Sequence, residues 1–178
     1  MTTLRADAER NLRRVLDAAA EVFAERGPDA SVDEIARRAG VGHATVFRRF
    51  PTKDALIAAV GKEQMRKLLE LADEAKAEPH AGQALTGFIW AVGELHAANR
   101  GLHDCLLRCG EAPEAIELHA AAGELVARAQ SAGALRSDVT ADDVEALVET
   151  AVKSSPVDRW RQRLTVVLDG LKPNHHTE

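Results

Sequence analysis

SVDEIARRAGVGHATVFRRFPTKDAL, residues 31–56, is the stretch whose reading decides the fold. Ser31 opens a helix, and Glu34 three positions later predicts a reciprocal capping box with it. Val32, Ile35, Ala36 and Ala39 form its inward face, and Gly40 ends it. After the turn Gly40-Val41-Gly42 comes a second helix barely two turns long, Gly42 to Phe50, stopped by Pro51. This is the spacing of a helix-turn-helix. On the short helix Val46 and Phe50, four apart, define the buried line. Ala44 and Arg48 lie nearly opposite, flanked by Thr45 and Phe47. A small residue, a hydroxyl, a ring and a guanidinium on one face suit the DNA major groove. The small side chain permits close approach, threonine can meet a thymine methyl, and arginine can pair with guanine O6 and N7.

The helical reading extends in both directions. Upstream, Leu12, Val15, Leu16, Ala19, Val22 and Phe23 recur at three and four and stop at Gly27-Pro28. Downstream, Thr52 caps a long helix running through Leu56, Val60, Met65, Leu68, Leu69 and Leu71 to about Ala77. Pro79, Gly101, Gly110 with Pro113, Gly133 and Ser154-Ser155-Pro156 then punctuate the chain. They predict helices over 82–99, 102–109, 113–132 and 141–153, the last capped by Thr140. A ninth begins at Ser155, with Pro156 at its favoured first position. The fold class expected is all-α with about nine helices, and residues 173–178 read as a frayed tail.

Composition narrows the function. With 46% hydrophobic and 29% charged residues, the 178-residue chain can bury a core. Nowhere do eighteen apolar residues run together, so neither a membrane span nor a secretory leader is expected. Two cysteines, Cys105 and Cys109, make no disulfide framework, and a cytoplasmic location follows as the expectation. Four Phe, two Trp and no Tyr leave few rings for stacking bases, which disfavours single-strand binding. The net charge is −5, yet Ile35 to Lys53 holds Arg37, Arg38, Arg48, Arg49 and Lys53 and no acid. That basic island in an acidic chain is a local footprint for phosphate. Arg37 and Arg38 read as solvated.

Residues 10–60 resemble the DNA-binding domain of the TetR family of transcriptional regulators. VLDAAAEVFAERG (15–27) and the quoted stretch carry the likeness. The resemblance implies a helix-turn-helix DNA-binding domain over 1–55 and a helical ligand-binding and dimerisation domain over 56–172. It implies a recognition helix from His43 to Phe50, with His43, Ala44, Thr45, Phe47 and Arg48 towards DNA. Ser31 would meet phosphate through its hydroxyl and N–H, and Lys53 as a cation beside a positive helix end. Arg49, placed where many members have histidine, would contact the backbone. Two residues depart from the pattern: Gly42 stands for a serine-like cap and Phe47 for the usual tyrosine, which removes a hydroxyl. The partners implied are a double-stranded operator, a small-molecule effector and a second copy of the chain. The action implied is that of a repressor released by its effector.

The second half gathers Phe88, Trp90, His96, Cys105, Cys109 and His119 as candidate effector contacts, with ordinary core as the plainer reading. His103 beside Cys105 and Cys109 leaves a metal-responsive regulator as an alternative, although the C-x-x-C spacing is missing. No metal site and no cofactor are expected. The last two helices offer Leu147, Val148, Ala151, Trp160, Leu164, Val167 and Leu168 as the dimer interface. A G-x-S-x-G elbow, a Gly-rich phosphate loop and an H-E-x-x-H pair are all missing from the sequence, so an enzyme is not expected. A helical binding module that has lost operator recognition is the other alternative.

Overall fold

A computed structural model describes residues 2–98, 113–153 and 159–173. Among them lie eight α-helices and one 3-10 turn, with no strand. The helix expected over 102–109 and the Ser155-Pro156 cap fall outside the described residues. The chain divides into two compact units: among the described residues, 2–64 with Ala98 form the first, and 65–97, 113–153 and 159–173 the second.

The first unit holds α1 (Thr2–Arg26), the 3-10 turn Gly27–Asp29, α2 (Val32–Ala39), α3 (His43–Arg49) and the start of α4 (Lys53–Ala77). Gly27, at φ 57°, ends α1 where the Gly-Pro pair predicts a stop. The face of α1 read from the sequence is the buried one: Val15, Ala19, Val22 and Phe23 pack with Ile35, Ala36, Ala39, Val46, Phe50, Leu56 and Val60. Gly40, at φ 65° and ψ 37°, closes α2 in a left-handed cap. Its N–H donates to Arg37 O (3.2 Å) and that of Val41 to Ala36 O (3.0 Å), the paired bonds of a Schellman motif. An L-residue pays about 1–2 kcal/mol in this conformation, so glycine fits here.

Ser31 caps α2 by accepting from the Glu34 N–H (3.1 Å). The other half of the expected box is not made. Opposite charge draws the Glu34 carboxylate towards Arg26, Arg37 and Arg38, at 3.8, 4.0 and 3.9 Å. Thr52 caps α4 through the Ala55 N–H (3.1 Å).

The second unit comprises α4 from Met65, then α5 (Ala81–Ala98), α6 (Pro113–Ser131), α7 (Ala141–Lys153) and α8 (Trp160–Gly170). Its core is built from Leu85, Phe88, Ile89, Leu125, Val126, Val144, Val148, Val152, Trp160 and Leu164. Thr140 and Asp143 form a reciprocal box at the start of α7. Thr140 Oγ1 accepts from the Asp143 N–H (3.2 Å), and the Asp143 carboxylate accepts from the Thr140 N–H (2.8 Å). That backbone bond, followed by the one from the Thr140 hydroxyl, holds the Asp143 carboxyl below its ordinary value. Elsewhere side chains satisfy loop carbonyls. Arg128 donates to the carbonyls of Lys76, in the last turn of α4, and Glu78, just beyond it, and Gln130 to those of Arg136 (3.1 Å) and Val139 (2.8 Å).

Candidate nucleic-acid interface and effector cavity

The helix α3 is anchored by two side chains and exposes the rest. Val46 and Phe50 are buried, while His43, Ala44, Thr45, Arg48 and Arg49 are exposed and Phe47 keeps 39% of its surface in solvent. The wheel read from the sequence is thus the wheel of the folded helix. Gly42, extended at φ −71° and ψ 145°, precedes it with no side-chain cap, so the first N–H groups of α3 stay open to a polar partner.

The remaining candidate DNA contacts sit at helix starts. Ser31 is exposed at the head of α2; its oxygen accepts from Glu34 while its hydroxyl hydrogen remains able to donate. Lys53 is the first residue of α4, half-buried, with Nζ 6.0 Å from the centre of the Phe23 ring. The ammonium is thus held near the ring face, an arrangement that a cation–π attraction favours.

One member of the basic island pairs with acids of its own unit at the surface. Arg38 donates two bonds to Glu25, at 2.6 and 2.9 Å, and lies 3.8 Å from Glu21. The bond from Arg38 holds the Glu25 carboxyl below its ordinary value. Arg38 thus braces α1 against α2 while remaining exposed to solvent, in keeping with its reading as a solvated charge. Arg37 is the more solvated of the two, with 81% of its side chain exposed.

A contact that sequence reasoning missed joins α2 to α3. Asp33 Oδ1 meets His43 Nδ1, and the His43 ring stacks on Phe47 with centroids 4.4 Å apart and planes 30° from parallel. The i, i+4 spacing of His43 and Phe47 could have signalled the stack. Nothing local signals Asp33, which reaches His43 across the turn.

In the second unit, Phe88, His96 and His119 line one cavity of about 170 Å³, with Met65, Leu118, Val144 and Glu145 among its other walls. His119 Nε2 lies 3.2 Å from Asp142 Oδ1, and Nδ1 lies 3.5 Å from Glu145 Oε2. The structure does not bring Trp90 to this cavity. Trp90 lines an open groove of about 610 Å³ with Thr86, Thr165 and Leu168, and packs near Trp160 (6.1 Å, 58°). Positions two apart on a helix point to different sides, which is why Phe88 and Trp90 part company. Leu85 and Ile89 face both spaces. Cys105, Cys109 and His103 lie outside the described residues. Among the described residues no group of three or more His, Cys, Asp or Glu could hold a metal ion.

The candidate dimer residues separate in the same way. Val148, Ala151, Trp160 and Leu164 are buried in the chain's own core, and Val167 and Leu168 are half-buried against it. A residue already enclosed by its own chain offers little new burial to a partner, and in the single chain these four serve internal packing. What α7 and α8 expose instead is Leu147 (42%) and Val166 (67%), around a shallow groove lined also by Thr150, Arg159, Gln162 and Arg163. Val166 carries no place among the residues singled out from sequence. Among the described residues no helix is long and apolar enough to cross a membrane.

A helix-turn-helix unit followed by a helical unit enclosing a cavity defines a class of DNA-reading regulators. Residues 15–60 match the family described as bacterial regulatory proteins, tetR family. Residues 80–173 match the transcriptional regulator SbtR-like C-terminal domain. The chain is 39% identical to a TetR transcription regulatory protein of Mycobacterium vanbaalenii whose crystal structure superposes with a TM-score of 0.75, covering 95% of this chain and 99% of that one. It is 29% identical over 163 residues to an HTH-type transcriptional repressor of Mycobacterium tuberculosis, covering 89% of this chain and 79% of the relative. An HTH-type transcriptional regulator of Mycobacterium bovis is 50% identical over 58 residues, which is 32% of this chain and spans only 31% of that relative's length. The chain belongs to the TetR family of transcriptional regulators.

Proposed function

We propose that the protein is a dimeric, effector-responsive repressor that reads a pseudo-palindromic operator with α3. The observation that carries this reading is the division of α3 and its C-cap into a buried pair, Val46 and Phe50, and an outward face of His43, Ala44, Thr45, Phe47 and Arg48. In the complex the outward face enters the major groove. Ser31, Arg49 and Lys53 meet phosphates and fix the register without reading sequence. DNA reading belongs to residues 1–55, and effector binding and pairing to 56–172.

A single recognition helix makes few base contacts, so useful affinity needs two half-sites about 34–36 Å apart and hence two copies of the chain. Pairing uses the exposed Leu147 and Val166 rather than the buried tryptophan. The effector occupies the cavity of Phe88, His96 and His119, where apolar walls supply affinity and a few polar atoms supply orientation.

The test is fluorescence anisotropy on labelled duplex from the protein's own upstream region against scrambled duplex, at near-physiological salt. Operator affinity about a thousandfold above the nonspecific value is expected. Equal, weak binding to every duplex recovered by genome-wide selection would instead establish a helical module without operator recognition.

A further inference from the structure

We infer that Asp33 fixes the hydrogen on His43 and so sets which base edge the first position of α3 reads. The inference rests on the DNA-reading role proposed above. Asp33 lies in the first turn of α2, and His43 opens α3. The contact is made by His43 Nδ1 and a carboxylate oxygen. A carboxylate accepts and does not donate, so Nδ1 carries the hydrogen. In the neutral ring the other nitrogen, Nε2, is then a bare acceptor.

Two restraints act on this imidazole. Asp33 holds one edge, and Phe47, one turn further on, covers a face at 4.4 Å. Residues at the start of a recognition helix are the ones that meet base edges. In the major groove only the amino groups of adenine and cytosine offer a hydrogen to an acceptor. Guanine N7 and O6 and thymine O4 would set lone pair against lone pair. Asp33 is therefore a positioning residue acting through His43, and the site selects an amino-bearing base opposite Nε2. Without Asp33 the ring is free to present either tautomer, and the selection fades.

The experiment selects duplexes from a random pool with the full chain and with Asp33→Ala, Asp33→Asn and His43→Ala. Affinity is then measured, at the mildly alkaline pH where an imidazole is neutral, on the selected duplex and on its variants at the position that His43→Ala relaxes. Wild type should favour adenine or cytosine there by roughly three- to tenfold, the worth of one net hydrogen bond. Asp33→Ala should reduce that preference to the level of His43→Ala and add nothing in the His43→Ala background. Asp33→Asn, whose amide oxygen still accepts from Nδ1, should keep most of it.

A purely electrostatic role predicts something else: loss of a carboxylate near phosphate tightens binding to all sequences alike and leaves base preference unchanged. That result overturns the inference. So does guanine or thymine at the position, or a His43→Ala variant that relaxes none. Independently of DNA, ¹⁵N spectra of the labelled protein at mildly alkaline pH should show His43 protonated at Nδ1 and bare at Nε2, its signals identified by their loss in His43→Ala. The opposite tautomer sinks the assignment even for variants that bind poorly. If wild type enriches no sequence at all, the regulator reading fails, and the spectra still decide the tautomer.

Discussion

A Cβ on Gly93 would stand 2.7 Å from Leu164 Cδ2 and 3.2 Å from Trp160 Cζ3, so α5 and α8 meet through the space that this glycine leaves. Gly93 is buried in mid-helix, where glycine costs about 1 kcal/mol relative to alanine. The close approach of Leu164, which is fully buried, explains why that cost is borne.

Gly93→Ala should therefore destabilise the protein although alanine is the better helix former. Overpacking of a filled core typically costs about 1–3 kcal/mol, more than the gain in propensity. Urea unfolding of the two proteins measures the difference, and a more stable variant would show that Leu164 and Trp160 yield freely.

The Glu25–Arg38 contact makes a prediction about pH. Glu25 is held below its ordinary value chiefly by the hydrogen bond from Arg38. A carboxylate depressed on folding stabilises above its unfolded value, and that stability is lost as pH falls through the folded one. The margin of wild type over Glu25→Gln should accordingly be full at neutral pH and shrink through the acid range. Thermal unfolding of both at a series of pH values checks the sign; a margin that grows on acidification contradicts it.

Arg48 and Lys53 should separate on DNA. Arg48→Ala is expected to weaken operator binding by about 1–3 kcal/mol and relax the preference at one base pair. Lys53→Ala should weaken operator and random duplex alike and lower the salt slope by about 0.9 per half-site. Anisotropy titrations at several salt concentrations distinguish the two, and identical profiles would deny the division between base reading and phosphate contact.

Replacing Leu147 and Val166 by aspartate should leave the fold intact and abolish pairing. Both are exposed in the single chain, so the charges meet water in the monomer and are desolvated only in a dimer. Light scattering at micromolar concentration, with circular dichroism as the check on folding, reads the outcome. A dimer of unchanged stability places the interface elsewhere.

Much of this was legible beforehand because it is local. Periodicity at three and four residues marked the buried lines of α1 and α3, and Ser31, Thr52 and Thr140 cap the helices they precede. What escaped the sequence is tertiary. An apolar stripe such as Trp160 and Leu164 reads the same whether its own chain or a partner covers it. The commitment of Arg38 to Glu25 joins residues 13 apart, and Asp33 reaches His43 across a turn, 10 apart. The parting of Phe88 and Trp90 was available from helical geometry, since neighbours two apart diverge by more than half a turn.

The two tryptophans have a practical consequence. Trp90 and Trp160 are the chain's only indoles, there is no tyrosine, and both lie in the second unit with ring centres 6.1 Å apart. Emission excited at the red edge of the indole band therefore originates from the α5–α8 contact, since the phenylalanine ring of α3 does not absorb there. The protein carries a label-free optical gauge on its second unit, so an added compound that reaches that unit can be scored there while an extrinsic dye on added duplex is followed in the same cuvette.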